Sequence, residues 1–189
     1  MMEGILDAKQ DLAHMEEIIY GYFPDELDES KIPDLSQHIK DSGISIIAIL
    51  IAYHKIIRQI DNIESMINSS GVSEVPTLLT RSWQAENNTY LKRFSPESND
   101  SYLPPSFSFI HELTKAFHEA GIPILMGTDA CISIVVPGYS AHDELKELVD
   151  SRLSPYAEMA YGTRETSIFL NAEHEIGTIE VGKGLISCY

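Results

Sequence analysis

The residues best equipped for chemistry stand at the ends of two short apolar runs. Ile122 to Met126 ends abruptly in Gly127-Thr128-Asp129, and the run that starts at Leu12 reaches His14. Taken alone, Gly-Thr-Asp fits a turn, because these residue types satisfy loose backbone groups where a strand stops. A lone strand-end histidine is in the same position: it serves either as a satisfied polar residue or as a ligand. His142 falls in the first turn of the helix beyond the Asp129 loop, so it either points into a pocket or covers the helix start. The remaining histidines have plainer readings. His38, His54 and His118 lie on helices among charged neighbours and read as solvated. His111 and His118 share a helix face, but at that separation they cannot clasp one ion, and His174 sits in a terminal turn. The sequence has no GxSxG nucleophile elbow, no phosphate-binding glycine loop, no HExxH and no zinc-ribbon spacing, which leaves covalent-nucleophile and nucleotide chemistry without support.

The elements that must position these residues alternate. Residues 3–10 read as the end of a helix, and a short strand ends on His14. A helix over Asp34–Lys40 stops at Gly43. "ISIIAILIA", Ile44 to Ala52, is β-branched and nearly continuous, as a strand buried on both faces of a parallel sheet would be. Helices are expected over 53–69, with Ile56, Ile57, Ile60, Ile63 and Ile67 along one side, and over 77–94 around Trp83. Ser95–Pro105 reads as a polar loop. A helix with Phe107, Ile110, Leu113 and Phe117 on its inner face ends at Gly121, and the strand Ile122–Met126 comes next. Ser140 and Asp143 form a capping-box pattern, Ser154-Pro155 opens another helix, and Asn171 suits a left-handed cap. "EIGTIEVGKG", Glu175 to Gly184, alternates and reads as extended. Strands alternating with helices imply an α/β fold with parallel strands and right-handed crossovers. Ligands in such sheets lie beyond the carboxyl ends of the strands, where His14 and Asp129 both fall.

Bulk composition narrows the partners. The 189 residues suffice for one domain, 43% of them are apolar, and 29 acids against 13 bases give a formal net charge of -16. That charge repels phosphate backbones, so nucleic-acid binding is not expected. The two cysteines, Cys131 and Cys188, suggest no disulfide framework. The start carries no signal-peptide pattern, and Ile44–Tyr53 is too short to span a bilayer, so the expectation is a cytoplasmic protein without membrane attachment.

Several segments together resemble a family. "AFHEAGIPILMGTDA" looks like the last barrel strand of metal-dependent amidohydrolases, in the imidazolonepropionase-like and prolidase-like branch. "PGYSAHDELKELVDSRLSPYAEMAYGTRETSIFLNAEHEIGTIEVGK" looks like the segment that family carries after its last strand, and "DLAHMEEI" is similar to the sixth-strand segment. The resemblance runs from about Gly4 to Lys183. It implies a (β/α)8 barrel and hydrolysis of C–N bonds in a small amide, cyclic amide or dipeptide. One or two divalent ions, usually zinc, would polarise a bound water, lowering its pKa toward ~7. By the same resemblance Asp129 binds metal and carries the water's proton to the leaving nitrogen, and His14 is a metal ligand. Gly127 and Thr128 then let the backbone turn close to the metal, and Thr128 and His142 lie on the substrate side.

The sequence also departs from the family. The first-strand His-x-His pair, the fourth-strand lysine or glutamate and the fifth-strand histidine have no room ahead of His14. A complete barrel takes ~250 residues. The expectation is therefore a partial barrel, its last three strands with their helices over residues 1–174, and a remnant of the β-sandwich over 175–189 with an atypical tail after Lys183. Both ends read as cut. Such a chain would bind zinc weakly and be inactive alone, unless a complementary chain supplies the other ligands, and its uncovered apolar face would favour self-association. The alternative reading is a non-catalytic α/β fragment that acts as an interaction module or has no function.

Overall fold

The computed structural model describes residues 2–94, 103–130 and 132–184, the side chains of Met2 and Glu3 excepted. Most of the Ser95–Pro105 loop, both cysteines and the tail after Gly184 lie outside the described residues. The chain forms α1 (Met2–Asp7), β1 (Leu12–Ala13), α2 (Glu16–Tyr22), α3 (Ile32–Ser42), β2 (Ile46–Ile47), α4 (Leu50–Ile67), α5 (Thr77–Trp83), α6 (Thr89–Arg93), α7 (Leu103–Ala120), β3 (Ile124–Leu125), α8 (Tyr139–Asp150), α9 (Pro155–Gly162) and α10 (Arg164–Phe169).

The three strands make one parallel sheet in the order β1-β2-β3. Leu12 pairs with Ile46 and Ala13 with Ile47; on the other side Ile46 pairs with Ile124 and Ile47 with Leu125. Parallel neighbours need a crossover, and α3 and α7 provide the two. Both end on a glycine in the left-handed region, Gly43 at φ 73° and Gly121 at φ 75°, where a Cβ would be strained. The crossover helices pack on each other and on the sheet. Leu35 and Ile39 of α3, Ile110, Leu113 and Phe117 of α7, and Ile46 and Ile124 of the strands are fully buried in one core. Each such side chain contributes ~2 kcal/mol by leaving water. Phe23 closes the α2 side edge-on against Phe109, with ring centroids 4.8 Å apart. A second, smaller core gathers Met66, Val72, Trp83, Ile134 and Val136.

Several expectations are corrected. The apolar run at Ile44–Ala52 is not one long strand: it pairs over two residues, turns at Ile49 and enters α4 at Leu50. A continuous apolar run marks burial, and a buried strand and a buried helix start look alike in it. The 77–94 helix is two helices, because the Asn88 side chain accepts from the Tyr90 and Leu91 amides and starts α6 anew. The Ser140–Asp143 capping box does not form. Gly138 is the N-cap of α8 with no side-chain cap, Ser140 is buried, and Asp143 pairs with Lys55 at 2.9 Å. Ser154 does cap α9, accepting from the Ala157 amide, and Asn171 adopts φ 53° just after α10. Glu175–Gly184 is a set of turns rather than a strand. Gly177 packs there so closely on α10 that a Cβ would lie 2.6 Å from the Ser167 Cβ. Exposed apolar residues concentrate in this C-terminal part: Tyr156, Met159, Ile168, Leu170, Ile179 and Val181. Among the described residues no helix is long and apolar enough to cross a membrane.

Candidate active site

Beyond each strand the chain passes through a residue with left-handed backbone: His14 at φ 69° directly after β1, Ile49 at φ 55° two residues after β2, and Asp129 at φ 51° four residues after β3. The ladder reaches His14 on one side and Leu125 on the other: the His14 amide donates to the Ile47 carbonyl at 3.0 Å and the Ala48 amide to the Leu125 carbonyl at 3.0 Å. These turns bring the side chains that follow the outer strands, β1 and β3, toward each other beyond the end of β2. His14 Nε2 and Asp129 Oδ2 thereby come to 4.0 Å. Gly127 makes this possible in space. A Cβ there would lie 2.6 Å from Ile47 Cγ2 and 2.9 Å from Ile49 Cγ1, so only a glycine lets β3 run out this close to β2.

The other face of the His14 ring meets a second carboxylate. Nδ1 lies 3.2 Å from Glu16 Oε1, off the line of a good hydrogen bond, and neither Nδ1 nor Glu16 Oε2 has another partner. The imidazole is held above its ordinary pKa, chiefly by Glu16, against the opposing cost of burial, with help from the charges of Glu16, Asp129 and Glu17. Tyr90 of α6 lies within electrostatic reach: burial first, and then the charge of Asp129, push its phenol up. Asp129 is 42% exposed and His14 31%. Thr128 is half-buried between Gly127 and Asp129, and His142 is exposed on α8. The structure therefore brings together His14 and Asp129, with Thr128 adjacent in the chain, and leaves His142 at the surface.

His14 and Asp129 offer the right donor types for a divalent ion, an imidazole nitrogen and a carboxylate oxygen. Two ligands at ~2.1 Å in a tetrahedron stand ~3.4 Å apart, so their separation would have to close slightly. A catalytic zinc needs three protein groups, and among the described residues no three His, Cys, Asp or Glu side chains form such a cluster. The described donors therefore fit only part of a zinc site.

Reading the sequence missed a second group of ionisable residues. Glu144 of α8 is fully buried and caps α4, accepting from the Leu50 amide at 3.0 Å and the Ile51 amide at 2.7 Å. Burial pushes its carboxyl up to about 8, against the pull of those amides. One turn later Glu147 accepts from His54 Nδ1 of α4 at 2.5 Å and lies 3.4 Å from His111 Nε2 of α7. Burial opposes its ionisation, but the two histidines outweigh burial and hold it at about 2. His54 is thus a hydrogen-bond partner of Glu147 rather than a purely solvated residue, and His118 is likewise engaged, 2.6 Å from the Tyr161 hydroxyl. A signal existed: Ser140, Glu144, Glu147 and Ser151 recur on one helical stripe, and a polar stripe that keeps step with Leu148 faces inward.

No known family profile and no curated protein matches the sequence. Among solved structures, the chain superposes on a Xaa-Pro dipeptidase with methionine bound in its active site, at a TM-score of 0.57 and 17% identity. The match covers 96% of this chain and 34% of the dipeptidase, so this chain spans about a third of that protein's length. At such identity the likeness shows the fold: a three-stranded parallel α/β unit that also occurs within a dipeptidase.

Proposed function

We propose that this chain carries one part of a hydrolytic site for C–N bonds, of the amidohydrolase kind, acting on a small amide or dipeptide. The observation that carries this reading is the His14–Asp129 pair, aimed across the carboxyl end of a parallel sheet. Its support is the likeness in fold to a Xaa-Pro dipeptidase. On this reading the three strands are a part of a (β/α)8 barrel. Asp129 is exposed enough to take a proton from an attacking water. As the water oxygen bonds to the carbonyl carbon and the C–N bond breaks, Asp129 returns that proton to the leaving nitrogen. His14 and Asp129 are donors for a divalent ion, with zinc as the first candidate. Two donors do not complete such a site, so no step is routed through the metal; a complementary chain or a second copy would supply the remainder.

The test is a titration of the purified chain with zinc, followed by calorimetry and by the histidine NMR signals, alongside hydrolysis assays on Xaa-Pro dipeptides. Weak zinc binding that shifts the His14 signals and disappears in His14→Ala and Asp129→Asn, without turnover by the chain alone, is the expected result. Zinc binding indifferent to both substitutions would overturn the assignment. A second reading is then favoured, that of a non-catalytic interaction module. It draws on the exposed apolar residues of α9 and α10 and on the lack of a third donor among the described residues.

A further inference from the structure

We infer that Glu16 is a positioning residue for His14: it fixes which ring nitrogen carries the proton and so leaves Nε2 as the free electron pair facing Asp129. The inference rests on the reading of His14 and Asp129 as paired donors. His14 has two ring nitrogens, and in the neutral ring one bears hydrogen while the other offers a lone pair. Nδ1 lies 3.2 Å from Glu16 Oε1 and has no hydrogen-bond partner. Nε2 lies farther from its carboxylate, 4.0 Å from Asp129 Oδ2. A lone pair on Nδ1 would face the nearer negative charge with nothing to relieve the repulsion. A proton on Nδ1 turns the same contact attractive. Coulomb energy falls with distance, and the Glu16 side chain is less exposed (16%) than that of Asp129 (42%), so its field at the ring is less screened. The closer, more buried carboxylate therefore decides the tautomer. Carboxylate–histidine pairs of this kind orient rings that bind metals, and removing the carboxylate typically lowers metal affinity ~10–100-fold.

The backbone explains why Glu16 can do this. His14 at φ 69° turns the chain out of β1, and α2 begins at Glu16, so the carboxylate is carried back beside the ring two residues behind it. Glu17, next in the same first turn, is exposed and contributes only charge at a distance. It is the internal control: changing it alters the charge of the helix start equally but does not touch Nδ1.

The experiment uses the full chain with nitrogen-15 histidine, at a pH alkaline enough for the ring to be neutral. Two-dimensional proton–nitrogen spectra then report which nitrogen of His14 is protonated, with His14→Gln assigning the signals. The expected result is the Nδ1–H form in the wild type and in Glu17→Gln, and a large gain of the Nε2–H form in Glu16→Met, which keeps length and removes the charge. Nε2–H in the wild type, or an unchanged tautomer in a folded Glu16→Met, would overturn the inference. Where Glu16→Met fails to fold, Glu16→Gln, which keeps the shape and removes the charge, takes its place under the same two criteria. Zinc added to the same samples separates this inference from the functional reading. A fixed Nδ1–H tautomer without zinc binding at His14 would leave Glu16 a positioning residue and remove the hydrolase proposal. Zinc binding at His14 that Glu16→Met does not weaken ~10-fold or more would do the reverse.

Discussion

The molecule pairs histidine with a carboxylate in two places, and the two pairs are built in opposite ways. At the strand ends His14 faces Asp129 across 4.0 Å, with both side chains partly in solvent. In the helix layer His54 meets Glu147 at 2.5 Å and His111 approaches the same carboxylate from α7; His54 is about as exposed as His14, at 33% against 31%, but Glu147 is only 6% exposed. The chemistry of the groups is the same; distance and solvent decide their use. A tight pair closed on one buried member is satisfied by that contact, and losing the carboxylate leaves polar atoms of the helix layer without their acceptor. A loose exposed pair has little to lose and has room for a third party between its members.

Measurement can test this contrast directly. The largest effect is expected from Glu147→Ala, which should destabilise the fold by ~3 kcal/mol in chemical denaturation, because α4, α7 and α8 all converge on that carboxylate and two histidines lose their acceptor. A cost below ~1 kcal/mol would show that the helix-layer pair is no tighter in energy than the exposed one. The pH profile bears on the same point. Glu147 sits at about 2 in the folded chain against an ordinary 4.5, so its contribution is present above 4.5 and is lost as pH falls toward 2. Glu144, pushed up to about 8, has the opposite sign: its contribution is full below 4.5 and is lost as pH rises to about 8. These two carboxylates alone would place greatest stability near pH 4.5. Glu147→Gln should flatten the acid limb and Glu144→Gln the alkaline one, and denaturation midpoints across that range would show whether each does.

A middle-sized effect belongs to Gly127→Ala. The added methyl meets Ile47 and Ile49, so β3 must retreat from β2, at a cost of ~1–3 kcal/mol. If His14 and Asp129 owe their meeting to that close approach, their distance should grow as well, and zinc-induced shifts at His14 should fade in the folded variant. The smallest effect on stability is expected from Asp129→Asn, within ~0.5 kcal/mol of wild type. A loss of several kcal/mol would make the strand-end pair structural and erase the contrast.

The sequence made the local features legible and hid the distant ones. The crossover helices emerged from apolar spacing and their glycine stops, and His14 and Asp129 stood out because each ends an apolar run. The two-residue strands did not emerge from Ile44–Ala52, since apolar residues are equally at home in β2 and in the buried start of α4. Ser140 and Asp143 had the letters of a capping box, but Gly138 opens α8 and Lys55, from another helix, claims Asp143. Glu147 did not stand out by itself, because its partners lie far off in the chain, His54 being 93 residues away. The closeness of Glu16 to the His14 ring was hidden by the turn at His14, which no residue type there announces.

The cap that Glu144 places on α4 joins residues 94 apart in sequence. The first turn of α4 thus has its two amides satisfied by a group that arrives only after α7, β3 and the loop before α8 have taken their places. An isolated helix start is costly to nucleate, and Ile49, β-branched in a left-handed turn, gives this one no local help. The passage from β2 into α4 therefore belongs to the late part of folding. In kinetic terms, weakening the cap should chiefly speed unfolding and leave the folding rate nearly unchanged, whereas damage to the α3–α7 core should slow folding itself.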